Sequence, residues 1–204
     1  YYNDFEGAVG SEWSNNTVFT TPDGSNNILG KFGSQSINLS LSDIEPDNSI
    51  NFQVELWIID TWDGLYPGHD DRFSLIINGN TYLSETFSNC SYCNQSFPNG
   101  GSNPPQTGAD QTGGFGYTET WLAIYNLDYE FEQSSSDLIV DFIVHLSSAI
   151  ADESWGIDNI NIESMIGGPT WIELTDSILY ILPGESVEIE ITANASDYEL
   201  GDYE

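Results

Sequence analysis

Apolar residues recur at every second position along much of this chain. In "SINLSLSDI" (Ser36 to Ile44), Ile37, Leu39 and Leu41 alternate with polar neighbours, the pattern of a half-buried strand. "INFQVELWIID" (Ile50 to Asp60) repeats it with Phe52, Val54, Leu56 and Ile58 on one face. "RFSLIINGNTYL" carries its own turn, because Asn78 and Gly79 tolerate positive φ, and so predicts a hairpin. "WLAIYNLDYEF", "DLIVDFIVHLS" and "GIDNINIES" complete the set, each bounded by Asp, Ser or Gly clusters. No helical periodicity competes. Many short strands separated by turn signals predict an all-β protein, an antiparallel jelly-roll β-sandwich.

Two stretches depart from this rhythm. Ser88 to Gly116 is rich in glycine, proline and polar residues and has little periodicity, so a surface loop is expected, functional or flexible. Near Gly167-Gly168-Pro169 a breaker cluster introduces a β-rich tail with a Pro183-Gly184 turn. The expected organisation is a sandwich over 1–166, then a linker and partial β segment over 167–204. So short a tail cannot bury a core of its own. It is expected to belong to a longer domain or to act as a connector through residues 170–204, by self-association or by packing on a neighbouring domain.

Composition narrows the function. The 204 residues hold 33 Asp plus Glu against 2 Lys plus Arg, a net charge of −31. Nucleic acid and anionic membrane surfaces would be repelled, and cations are the natural counterpart. At 39% hydrophobic and 13% aromatic the chain has material for a core, unlike an acidic disordered tail. No apolar run approaches the roughly 20 residues that span a bilayer. The opening "YYNDFEG" reads as the start of a mature, exported segment, so an extracellular or cell-surface location is expected. Asn15, Asn38, Asn89, Asn94 and Asn194 head Asn-x-Ser/Thr sequons and are candidate glycosylation acceptors.

The carboxylates gather in three places: Asp4 and Glu6; Asp60, Asp63, Asp70 and Asp71; and Asp152, Glu153 and Asp158. Each group is interleaved with Phe5, Trp62, Phe73 or Trp155, side chains that should be partly buried. Carboxylates beside buried aromatics lose solvation, and Lys31 and Arg72 can neutralise few of them. A bound calcium ion, which takes six to eight oxygen ligands, is the expected partner, with Asp60, Asp63, Asp71 and Asp152 among the candidate ligands. No His or Cys pair has zinc spacing. Cys90 and Cys93, in "CSYC", fit a tight local disulfide, a redox motif or a metal fragment, and the loop setting favours the disulfide. Serine elbows, phosphate loops and zinc-hydrolase motifs are missing, and neither His69 nor His145 has a catalytic context, so an enzyme is not expected.

The opening "DFEG" with Trp13 and the closing "SWGIDNI" resemble the first and last strands of MAM-type and carbohydrate-binding jelly-roll domains. That resemblance implies adjacent terminal strands with a structural calcium between Asp4 or Glu6 and Asp158. The tail "LTDSILYILPGESVEIEITANASDYELGDY" resembles the start of bacterial Ig-like repeats. Two roles follow as expectations. One is a calcium-stabilised structural or adhesive module of a surface filament or multidomain protein. The other is a carbohydrate-binding module in which loop aromatics such as Tyr66, Tyr92, Phe97, Phe115 and Tyr117 stack on sugar faces.

Overall fold

A computed structural model describes residues 1–46 and 48–165, together with two short strands at 172–174 and 191–193. The chain divides into two compact units, Tyr1–Met165 and Ile166–Glu204. No helix occurs among the described residues, so none is long and apolar enough to cross a membrane.

In the first unit the strands are β1 (Tyr2–Asn3), β2 (Val18–Thr20), β3 (Asn27–Phe32), β4 (Ile37–Leu41), β5 (Asn48–Asp60), β6 (Arg72–Ile77), β7 (Asn80–Thr86), β8 (Gln111–Thr112), β9 (Leu122–Gln133), β10 (Leu138–His145) and β11 (Glu153–Met165). They form two antiparallel sheets. The larger runs β2-β3-β11-β5-β9-β8, with β1 also on β11; the smaller runs β4-β10-β6-β7. The chain passes repeatedly from one sheet to the other, which gives the jelly-roll sandwich that the alternation predicts. Asn78 and Gly79 turn β6 into β7 with φ of 49° and 79°.

The alternating apolar sets meet between the sheets. Trp155 of β11 packs against Phe32 and Phe73, and Phe142 of β10 packs against Phe73 and Trp13. A second, smaller cluster lies on the outer face of the larger sheet, where Ile28, Trp57, Ile59, Leu122 and Ile124 are covered by Phe19, Phe115 and Tyr117. The covering residues come from β2 and the loop between β8 and β9, so only part of that outer face is roofed.

The long segment from Ser88 to Gly116 is not the unstructured surface loop its composition suggests. Gln95 is fully buried within it. Its amide oxygen accepts from the Ser88 and Gln106 N–H groups at 3.1 and 2.9 Å and from the Tyr125 hydroxyl at 3.3 Å. Its amide nitrogen donates to the carbonyls of Phe97 and Thr107, both at 2.9 Å. The Asn103 amide similarly donates to the Ser96, Phe97 and Pro98 carbonyls at 3.1 Å. Side-chain amides thus satisfy backbone groups that a strand ladder would otherwise pair.

In the second unit, β12 (Ile172–Leu174) pairs antiparallel with β13 (Ile191–Ala193). The other residues of the Ig-like resemblance, most of the 170–204 connector and Asn194 lie outside the described residues.

Replacing Gln95 by Ala leaves several buried backbone groups unpaired, each worth about 1–3 kcal/mol. The expected outcome in urea denaturation is a stability loss of about 3 kcal/mol at an unchanged m-value. A loss no greater than that of an exposed Gln111→Ala control would show that the amide does not hold the loop.

Candidate functional site

The acidic residues that follow β5 and those that open β11 meet at one end of the sandwich, where the 88–121 segment folds back. Positive φ at Asp60 (66°) and at Gly64 (58°) turns the chain out of β5. A Cβ at Gly64 would lie 2.4 Å from the Asn94 carbonyl oxygen, so this close approach requires glycine. The buried Trp62 indole donates to the Ser154 carbonyl at 2.8 Å, and the Asn89 amide donates to the carbonyls of Ile58 and Asp60 at 3.0 and 2.9 Å. Cys90 and Cys93 form a disulfide that closes the next turn.

Within this frame two carboxylates, Asp71 and Glu153, are fully buried side by side. Asp71 accepts from the Asp63 and Ser147 N–H groups at 2.5 and 3.0 Å. Glu153 accepts from the Ser148 N–H at 2.7 Å and the Ser147 hydroxyl at 3.3 Å. Donor atoms of Asp63, His69 and Glu153 lie within 4.8 Å of one another, and His69 Nδ1 is 3.3 Å from Asp63 and 2.7 Å from Ser147 Oγ. Burial, and then the neighbouring Asp71, push Glu153 up to about 7. Burial also raises Asp63, with Asp71 and Asp152 adding to the shift and His69 opposing it. Like charges held together away from water favour a shared proton or a bound cation. The donors are mainly hard oxygens of the kind calcium takes, with one imidazole beside them.

The other acidic residues divide by environment. Asp60 is buried but paired with Lys31 Nζ at 2.5 Å and accepts from Ser154 Oγ at 3.1 Å, so its charge is met within the chain. Asp152 is exposed and accepts from the Thr61 hydroxyl at 2.8 Å, and Asp70 pairs with Arg72 at 3.1 Å. The terminal strands do lie together, with Tyr2 opposite Asn161 and Asn3 opposite Ile160. Asp4, Glu6 and Asp158, however, do not converge into a three-donor cluster among the described residues. Glu6 accepts from the N–H and the amide of Asn27 at 2.7 and 2.6 Å, and Asp158 accepts from the Asn26 amide and the Asn159 N–H, both at 2.8 Å. Neutral donors hold these two carboxylates. Burial still pushes Asp158 up to about 7, and Glu55 and Glu6 add to the shift.

Beside the Asp63 cluster opens a cleft of about 370 Å³, lined by Thr61, Asp63, Asn89, Ser91, Tyr92 and Trp121, with Cys90 and Thr120 completing the wall. Tyr92 and Trp121 are 79% and 52% exposed, and Tyr66, 45% exposed, packs edge-on to Tyr92 at 6.1 Å. Trp121 escapes a sequence reading because it looks like the first residue of strand β9. Phe97 instead stacks on Phe87 at 4.8 Å and meets Tyr125 at 5.2 Å, packing onto the core. Tyr117 and Phe115 roof the outer cluster, and burial pushes Tyr117 up to about 12. Among the sequons, Asn89 is buried with its amide engaged, whereas Asn15 and Asn38 are half-buried and Asn94 is exposed.

No protein-family model matches the sequence, nor does any curated protein. Solved structures of similar shape include a family 28 carbohydrate-binding module specific for non-crystalline cellulose, 14% identical, with 79% of this chain and 92% of that one covered and a TM-score of 0.41. A family 36 module in complex with calcium and xylotriose is 13% identical, with 80% and 99% covered and a TM-score of 0.37. A family 35 module from Clostridium thermocellum is 10% identical, with 81% and 98% covered and a TM-score of 0.35.

Glu153 binds its proton more tightly in the folded chain than in the unfolded one. Its contribution is therefore present below pH 4.5 and is lost as pH rises to about 7. With divalent ions removed, the melting temperature should fall across that window, and Glu153→Gln should flatten the fall. Asp158→Asn should remove a further part, because that carboxyl is also raised to about 7. A chelated wild-type protein whose melting temperature is level across the window would overturn this electrostatic picture.

Proposed function

We propose that this chain is a non-catalytic glycan-binding module of an exported or surface protein, with the loop-end cleft as its binding site. The observation that carries this reading is the exposure of Tyr92 and Trp121 on the same 370 Å³ cleft, with Tyr66 behind Tyr92. The water-exposed parts of these rings are free to stack, and their faces suit the C–H faces of pyranose rings. Between them the hydroxyls of Thr61, Ser91 and Thr120 and the Asp63 carboxylate supply donors and acceptors for sugar hydroxyls. The cleft contains no Lys, Arg or His, which favours a neutral, hydroxyl-rich oligosaccharide over an anionic one. The Cys90–Cys93 disulfide suits an oxidising, extracellular compartment.

Calcium belongs to the same reading as a structural clamp. Asp63, His69 and Glu153 would hold it, with Asp71 alongside, and its charge would replace the proton that the buried pair otherwise needs. Asp63 belongs to both the cluster and the cleft wall, so ordering the cluster also fixes part of the binding surface.

Affinity electrophoresis against soluble neutral polysaccharides tests the proposal. Retardation by at least one of them is expected, with Trp121→Ala and Tyr92→Ala each weakening it by about tenfold or more. Calcium should raise the melting temperature of the wild type at pH 7.5 and raise that of Glu153→Gln much less. Unretarded migration across xylan, mannan, β-glucan and cellulose derivatives, or retardation unchanged in both aromatic variants, would overturn the assignment of the cleft.

A further inference from the structure

On the outer face of the larger sheet, away from the loop-end cleft, lies a second groove. β2 and the β8–β9 loop roof only the apolar half of that face, and the polar half remains open. Cross-strand pairing lays two polar rows there. Asp158 of β11 stands opposite Glu55 of β5, which stands opposite Asn126 of β9, and alongside them run Asn161, Gln53 and Asp128. A bulge between Asp158 and Asn161, where the edge of β11 passes from β3 to β1, sets Asn159 at φ 46° and leaves its side chain exposed. Two adjoining cavities of about 400 and 200 Å³ result, sharing Glu55, Asn126 and Asn159. Trp57 and Phe115, in contact at 4.7 Å, line the smaller one, and the hydroxyl of Tyr2, a residue 60% exposed, donates to Asn159 Oδ1 at 3.3 Å.

The groove's carboxylates are held by neutral partners, so no cation within the chain is paired with them. Gln53 Nε2 donates to Asp128 at 3.1 Å, the Asn126 N–H to Asp110 at 2.8 Å, the Trp57 indole to Glu55 at 3.3 Å and the Asn26 amide to Asp158 at 2.8 Å. No Lys, Arg or His lines either cavity. Anionic glycans are therefore repelled. A chain of hydroxyls bearing ammonium groups meets both the carboxylates and the amides of Gln53, Asn126 and Asn159, which donate and accept together. A bare polyamine would leave those amides unused.

We propose that this groove is a second binding site, separate from the loop-end cleft, for an amino-sugar oligomer that carries free ammonium groups.

Calorimetric titration with a glucosamine tetramer at physiological ionic strength tests it, beside the fully N-acetylated tetramer, a glucose tetramer and spermine. The deacetylated tetramer should bind at least about tenfold more tightly than the other three. The double variant Glu55→Gln/Asp128→Asn should lose about tenfold or more of that affinity while melting as the wild type does. The exposed pair Asp43→Asn/Glu45→Gln, away from the groove, and Trp121→Ala should keep it. Equal binding of the acetylated, glucose or spermine probes would overturn the proposal. So would a comparable loss in Asp43→Asn/Glu45→Gln, which would mark diffuse attraction to an acidic surface. A loss confined to Trp121→Ala would place the ligand in the loop-end cleft and also overturn it, while leaving the proposed function intact.

Discussion

The contact between Asp71 and Glu153, two carboxyl groups shut away from water in the same wall of the sandwich, sets the terms for the loop end of this molecule. Neither group can move apart, because each is fixed by backbone N–H groups from the 147–148 turn, and Asp71 also by that of Asp63. One of the two side-chain cations is already committed to Asp60 and the other to Asp70. The remaining choices are a proton, the imidazolium of His69 or an ion from solution. Each is sensitive to its surroundings, so on the proposed reading the loop end responds to pH and to divalent ions.

The rest of the scaffold explains why this tension is tolerated. Trp155, Phe73 and Phe142 supply a close-packed interior through contacts between uncharged aromatic rings. The 88–116 segment, which carries Tyr92 and the disulfide, is tied down by Gln95 and Asn103 instead of by apolar packing alone. An amide that both donates and accepts can hold irregular backbone where a hydrophobic side chain would leave polar groups orphaned. The aromatic rings of the cleft can therefore stay exposed, since the loop beneath them is anchored by other means.

How much of this was legible in the sequence follows from the range of each signal. Alternation reports a local, half-buried surface, so β5, β6, β7, β10 and the Asn78-Gly79 turn could be read directly. The two-residue β1 and β8 and the three-residue β2 are too short to alternate, and β3, interior to its sheet, has a run of consecutive buried residues, so these strands were not legible. The ordering of the 88–116 segment was hidden because its cement is polar and looks like loop composition. The acidic clusters were visible as residues but not as partners. Only the fold brings Glu153 to Asp71, gives Lys31 to Asp60, and sets Asn26 and Asn27 against Asp158 and Glu6, where the resemblance implied calcium. The aromatics divided likewise: Tyr66 and Tyr92 project at the loop end, whereas Phe97, Phe115 and Tyr117 cover apolar surface.

The most direct measurement is an anomalous-difference map from crystals of this chain grown near neutral pH with manganese substituted for calcium. The account predicts a single strong peak bounded by Asp63, His69 and Glu153, beside Asp71. A flat map there, with the Asp71 and Glu153 carboxyls at hydrogen-bond distance and sharing a proton, would contradict it.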